Sequence, residues 1–313
     1  MTVSLRTALL ALILASFAAL AQPLATETGF VQVEDDVRLF YQRFGTGTPT
    51  VFVPNRLELV LPLAPLLERF DVVTWDPRGR GLSSRPEDEA RYGIDAEIAD
   101  AEAMRRHFGA ERVTYVGGSI WGNIAMLYAA RHPESVERVF AMSPLALSAD
   151  RMGPPDRPIT HDFADLDAEI AAWDADGRAE TDPYGYCVLV KRRDYADSYL
   201  DLANMAIIEA NNHCQYDNER PGRDVARDGM FNSLASWDWT EEVAGIHAPV
   251  LILYGDRELW PLAGVRAHAE HGSTVGLLEL ANSGHHVWND ANPRVLSALE
   301  SYLVGDWPPG TVR

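Results

Sequence analysis

The chain has almost no lysine. Lys191 is the single one among 27 basic residues, and these face 46 acidic residues for a net charge of −19. A surface of that sign repels nucleic-acid phosphates and anionic lipid, which excludes both as partners. Cysteine is nearly as scarce, with only Cys187 and Cys214. Two cysteines cannot build a disulfide scaffold, and without a neighbouring His/Cys set they argue against zinc, although His213 adjoins Cys214. There is no apolar run long enough to span a bilayer comfortably, no internal repeat and no low-complexity tract. The one glycine-arginine segment that suggests a phosphate loop, Asp76-Pro-Arg-Gly-Arg-Gly81, has no helix directly after it and no Lys-Ser/Thr. It reads as a structural turn, and nothing else calls for a cofactor or a metal.

What is present begins with an export signal. Arg6 supplies a positive start, Ala8 to Leu20 an apolar stretch, and Ala19-Leu20-Ala21 a small-x-small cleavage site before Gln22. The expected mature chain starts near Gln22 and is periplasmic or secreted, without stable membrane association. An oxidising compartment permits Cys187 and Cys214 to pair, the alternative being two buried free thiols.

Beyond a linker at 22–28, Phe30–Val33 and Val37–Phe44 alternate around Glu34-Asp35-Asp36 as a hairpin. Thr50–Val53 is a short apolar strand, Leu59–Arg69 a helix, Val72–Trp75 a strand and Ala96–Phe108 a helix. Strands at Val113–Val116 and Val136–Met142 flank another helix. This alternation predicts a parallel sheet with helices on both faces. It stops from about Pro144 to Gly245, where the composition becomes polar and helical. Phe163, Leu166, Ile170 and Trp173 share one helical face there, and Tyr199, Leu202 and Ile207 support a second helix, both stripes expected to face a core. Strand and helix alternation resumes at Pro249–Tyr254, Leu262–Glu270, Val275–Leu280 and Pro293–Leu303. The expected organisation is a core at 29–145 and 246–313, interrupted by a helical cap at 146–245. A cap inserted after the sixth strand would sit above the carboxyl edge of the sheet, where open α/β sheets bind ligands.

The most informative segment is Val113-Thr-Tyr-Val-Gly-Gly-Ser-Ile-Trp-Gly122. A β-branched and aromatic run meets two glycines and a serine, and an alanine-rich helical pattern follows at once. That is a nucleophile elbow with Ser119 at its apex, although Trp121 stands where the second glycine of G-x-S-x-G belongs and Gly122 comes one residue late. Serine needs a general base and a group to orient that base. Both appear later at strand ends, in Tyr254-Gly-Asp-Arg-Glu258 and in Asn282-Ser-Gly-His-His286.

Four segments together resemble the α/β-hydrolases of the capped kind, which include the prolyl iminopeptidases and many esterases. They are Trp75-Asp-Pro-Arg-Gly-Arg-Gly-Leu-Ser83, the Ser119 elbow with Tyr128-Ala-Ala-Arg-His-Pro133, Tyr254-Gly-Asp-Arg-Glu258, and Ser283-Gly-His-His286 with Asn292-Pro293. The resemblance spans Phe30 to Leu303 and implies a mostly parallel eight-stranded sheet with flanking helices and a helical cap. It implies Ser119 as nucleophile, His285 as base and Glu258 as acid, three residues after Gly255, with Asp256 as the alternative acid. His286 is expected to pack or hydrogen-bond locally, and His107 and His132 to end helices. The resemblance also implies two oxyanion donors. The Ile120 N–H is one; Leu57 supplies the other if Asn55 and Arg56 occupy the family's His-Gly positions. A prolyl iminopeptidase would carry Gly-Gly-Pro there, and this chain has Val53-Pro-Asn-Arg-Leu57.

The expected activity is therefore hydrolysis of a small carboxylic ester or amide through an acyl-enzyme. Two alternatives stand beside it. One is an iminopeptidase-like aminopeptidase, for which the cap carboxylates Glu209, Asp217 and Glu219 could receive a substrate amine. The other is a hydrolase fold used only for binding. An aspartate-nucleophile dehalogenase or epoxide hydrolase is excluded by serine at the elbow.

Overall fold

The computed structural model describes residues 24–206, 214 and 225–313. The expected signal sequence with Ala21 lies outside the described residues. So do Ile207, Glu209, His213, Asp217 and Glu219. Eight strands form one sheet in the order β1-β2-β4-β3-β5-β6-β7-β8. They are β1 (Glu27–Glu34), β2 (Val37–Phe44), β3 (Thr50–Pro54), β4 (Asp71–Trp75), β5 (Val113–Gly118), β6 (Val136–Met142), β7 (Val250–Gly255) and β8 (Val275–Leu280). Only the pairings of β2, with β1 and with β4, are antiparallel. β1 starts at Glu27, so the last two residues of the expected linker are already strand.

The central strands explain why they lie centrally. Every residue of β5 and of β7 is buried, as expected of parallel strands covered on both faces. Side chains alternate between two cores because a strand turns over at each residue. Tyr115, Val139 and Ile252 enter the core shared with Trp75 and Tyr128. Val116, Phe140, Leu251 and Leu253 enter the other, with Trp288 and Tyr302. The first core is closed by α2 (Ile94–His107) and α3 (Ile120–Arg131). The second is closed by α1 (Arg56–Leu67) and the last long helix, Asn292–Leu303. α1 begins at Arg56 rather than Leu59, so Arg56 and Leu57 belong to its first turn.

The chain leaves the sheet after β6. Its first excursion is stitched to its return: Trp239 N–H donates to Leu147 O at 3.1 Å and Ala149 N–H to Trp237 O at 2.9 Å. Between them run α4 (Ala164–Asp176), α5 (Pro183–Tyr195) and α6 (Val225–Leu234). The stripe of Phe163, Leu166, Ile170 and Trp173 is only half-buried, a departure from the expected core face. Polar side chains of the neighbouring turns cover it instead. Arg193 lies 5.0 Å above the Phe163 ring and Arg178 4.8 Å above Trp173. The described part of the second expected cap helix, up to Ala206, departs from the expectation as well. Ala196–Ser198 and Leu202–Met205 are separate 3-10 turns, with Tyr199 extended and buried between them and Leu202 exposed. Cys187 on α5 is disulfide-bonded to Cys214, their Cα atoms 5.6 Å apart.

Candidate active site

Ser119 stands where β5 passes into α3, and the turn is tight enough to dictate its residues. A Cβ on Gly117 would come within 2.3 Å of the Trp121 carbonyl oxygen. Ser119 itself holds φ 54°, ψ −132°, a conformation that costs a non-glycine residue about 1–3 kcal/mol and persists only where surroundings enforce it. They do so here through the backbone: Ser119 N–H donates to Met142 O on β6 at 2.8 Å, and Gly122 N–H donates to Ser119 O at 2.9 Å. The late glycine is explained by the same packing. A Cβ at Gly122 would lie 3.1 Å from that of Ala141, whereas Trp121 points to the half-buried flank. Trp121 therefore leaves the elbow undistorted.

The Ser119 hydroxyl caps no backbone group of the helix it precedes. It meets His285 Nε2 at 3.0 Å, and His285 Nδ1 is hydrogen-bonded to Glu258 Oε1. Glu258 and His285 are both buried. Glu258 Oε1 also accepts the Leu259 N–H at 2.9 Å, which fixes the carboxylate's orientation. Trp260 packs edge-on to the imidazole with centroids 4.7 Å apart, covering it from water. The alternative acid is elsewhere. Asp256 accepts the Ser283 N–H at 3.3 Å and pairs with Arg157 at 3.5 Å.

The oxyanion candidates flank the serine. Ile120 is the first residue of α3, and a first-turn N–H has no acceptor within its own helix. Leu57 lies in the first turn of α1, directly after β3, and β3 is the neighbour of β5. Both helices therefore start at the carboxyl edge of neighbouring strands, each carrying the partial positive charge of its N-terminus. Arg56 is turned away from the reacting atoms, binding buried Asp76 through two bonds at 2.8 and 2.9 Å. That pair anchors the Asp76–Ser83 turn, within which Asp76 Oδ2 also accepts the Leu82 N–H at 2.9 Å.

Three side chains of the site lay beyond the sequence reading. Glu58, in the first turn of α1, accepts a hydrogen bond from Asn55 Nδ2 and lies 3.7 Å from His286 Nε2. Its signal was present in Asn55-x-x-Glu58, the spacing of a helix capping box. Asp290 joins the histidine loop to the cap: it accepts from Gly284 N at 2.9 Å, Leu200 N at 2.8 Å and Asn204 Nδ2 at 2.8 Å. Trp260 carried no signal, because its contact with His285 exists only after folding. His286 packs as expected, against Tyr199 at 4.4 Å and Trp288 at 4.9 Å. Among the described residues no cluster of His, Cys, Asp or Glu is placed to hold a metal.

Residues 54–259 match the sequence model of the alpha/beta hydrolase fold family. A non-heme haloperoxidase of Rhodococcus erythropolis is 26% identical over 256 residues, covering 72% of this chain and 81% of that protein. The AB hydrolase superfamily protein YisY of Bacillus subtilis (strain 168) is 24% identical over 285 residues, covering 87% of this chain and 98% of that protein. Among solved structures, E-2-(acetamidomethylene)succinate hydrolase superposes with a TM-score of 0.66 at 17% identity, covering 89% of this chain and 98% of that one.

Proposed function

The chain belongs to the alpha/beta hydrolase fold family, and on that premise we propose that it is an exported serine hydrolase that cleaves a small carboxylic ester or amide. One observation carries the serine mechanism: His285 bridges Ser119 Oγ, at 3.0 Å, and the buried Glu258 carboxylate. In this reading His285 Nε2 takes the hydroxyl proton as Ser119 Oγ attacks the substrate carbonyl. Glu258 holds the imidazole in the tautomer that leaves Nε2 free and stabilises the imidazolium. The Ile120 and Leu57 N–H groups receive the oxyanion. The imidazolium then protonates the leaving group, the acyl group remains on Ser119, and a water deprotonated by His285 releases the acid.

Export rests on the N-terminal signal with its cleavage site at Ala21, and the Cys187–Cys214 disulfide agrees with an oxidising compartment. Labelling with a fluorophosphonate, followed by peptide mass analysis, tests the mechanism: the adduct is expected on Ser119 and absent from Ser119→Ala. An unlabelled wild-type protein, or an adduct on another serine, would overturn it. p-Nitrophenyl esters of graded chain length run against aminoacyl-naphthylamides, including proline, separate ester from amide preference. The N-terminal mass of the chain recovered from the periplasm or medium tests export, Gln22 being the expected first residue.

A further inference from the structure

Glu58 takes part in none of the proton transfers above, yet it stands beside the histidine loop, 3.7 Å from His286 Nε2. β3 pairs with β5 so that Val51 faces Thr114 and Phe52 faces Tyr115. β3 ends at Pro54 and passes through Asn55 directly into α1, at the same carboxyl edge of the sheet where its neighbour β5 ends before Ser119. Asn55 is the residue before α1 and holds the left-handed conformation, φ 64°, ψ 55°. Its carbonyl accepts from Glu58 N at 3.0 Å and Leu59 N at 3.2 Å.

An asparagine at that position ordinarily turns its side-chain oxygen onto a first-turn N–H. This one does not cap the helix at all; its Nδ2 donates to Glu58 Oε2 instead. The Leu57 N–H is thereby left without an acceptor among the described residues, in the first turn of a helix that begins at the carboxyl edge of the sheet. The Glu58 side chain is 20% exposed, and among the described residues its contact at ion-pair distance is the His286 imidazole, at 3.7 Å. Surface solvation and pairing with an arginine therefore both fail to account for it.

We propose that Asn55 and Glu58 form a clamp that fixes the turn after β3 in the conformation from which the Leu57 N–H meets the Ser119 oxyanion. Glu58 is then a positioning residue acting through Asn55, an inference that rests on the serine-hydrolase reading above. What the clamp needs from Glu58 is an acceptor, not a charge. A full negative charge beside a developing oxyanion would oppose it, and burial pushes the Glu58 carboxyl above its ordinary range, toward the neutral form.

The test measures kcat and KM on a p-nitrophenyl ester, and the affinity of a boronic acid that mimics the tetrahedral intermediate, for Glu58→Ala, Glu58→Gln, Asn55→Gly and the double variant Asn55→Gly/Glu58→Ala. Loss of one oxyanion donor predicts a fall in kcat of about 10²-fold for Glu58→Ala and for Asn55→Gly, with KM within about threefold. The boronic acid should weaken in parallel with kcat. The double variant should be no slower than either single one, because a clamp broken once is broken fully. Glu58→Gln, which keeps the acceptor, should recover most of the rate. Asn55→Gly tolerates the left-handed backbone and carries the test if Glu58→Ala fails to fold. A Glu58→Ala enzyme with kcat near that of the native chain, additive losses, or an effect confined to KM would each overturn the clamp. Retained fluorophosphonate labelling of Ser119 in every variant shows that such a failure belongs to the clamp alone. A native protein that is never labelled removes the serine mechanism first.

Discussion

α3 and α4 are helices of nearly equal length held by different means. In α3 every residue from Gly122 to Ala129 is buried, between the sheet and α2; in α4 none is. The core thus fixes its helices by burial, which scales with apolar area and leaves little freedom. The cap fixes its own with a disulfide, with exposed ion pairs such as Arg193–Asp167 at 2.6 Å, and with the bonds from Asp290 to Leu200 and Asn204. Ser119 stands at the end of buried β5, and Glu258 and His285 lie in the loops that follow β7 and β8, so all three are carried by the core rather than by the cap. The chemistry is built where position is over-determined, and the insertion that roofs it is held at points.

The largest expected effect lies in the core site. Glu258→Gln should lower kcat by roughly 10⁴-fold, as loss of the orienting acid does in the best-studied triad, while Asp256→Asn should do little. Steady-state kinetics on one ester decides it, and the reverse ranking would move the acid to Asp256. Next comes packing. Phe140→Ala, at a fully buried position on β6, should cost about 3–5 kcal/mol, and Trp173→Ala in the cap far less. Equal losses in urea titrations would erase the contrast between the two regions.

The disulfide closes a separation of 27 residues, for which loop-closure entropy predicts about 3–4 kcal/mol. Replacing both cysteines with serine should therefore expose the cap to proteases while the sheet stays folded. Cleavage inside the core at the same rate would contradict a locally acting staple.

A further test compares pH dependence. His268 is buried on the helix Leu262–His271, and burial lowers its pKa from an ordinary 6.5 to about 4. Its neutral form is favoured in the fold, so the stability it confers is complete above 6.5 and is lost as pH falls toward 4, by up to about 3 kcal/mol. Glu97, whose carboxyl burial pushes well up, works in the opposite sense as pH rises. The difference between the native chain and His268→Gln isolates the histidine; identical slopes between pH 4 and 6.5 would refute its part. The smallest effect belongs to Arg193→Ala, which removes exposed pairs with Asp167 and Asp197 and the contact over Phe163, and should shift stability by under about 1 kcal/mol.

Much of the fold was legible because its signals are local. Val113–Gly118 is β-branched and aromatic up to two glycines, and such a run declares strand and turn without reference to anything distant. The start of α1 was misplaced because Asn55 was matched to a loop position when its spacing to Glu58 marked a helix start. The cap stripe was misjudged for a different reason. Periodicity says which residues share a face and not whether enough apolar partners exist to cover it, and for Trp173 the cover is a guanidinium.

By itself, then, the sequence determined the succession of strands and helices, the place of the insertion, and the chain order of Ser119, an acidic loop and His285, since each is written in short-range pattern. Only the tertiary structure decided that Glu258 and not Asp256 meets His285, that Glu58 turns toward Asn55 and His286, and that Asp290 joins the histidine loop to the cap. Two carboxylates two residues apart carry the same charge. What separates them is the direction each side chain takes from the loop after β7, with His285 lying 27 residues further on from Glu258, and direction is a property of packing, not of composition.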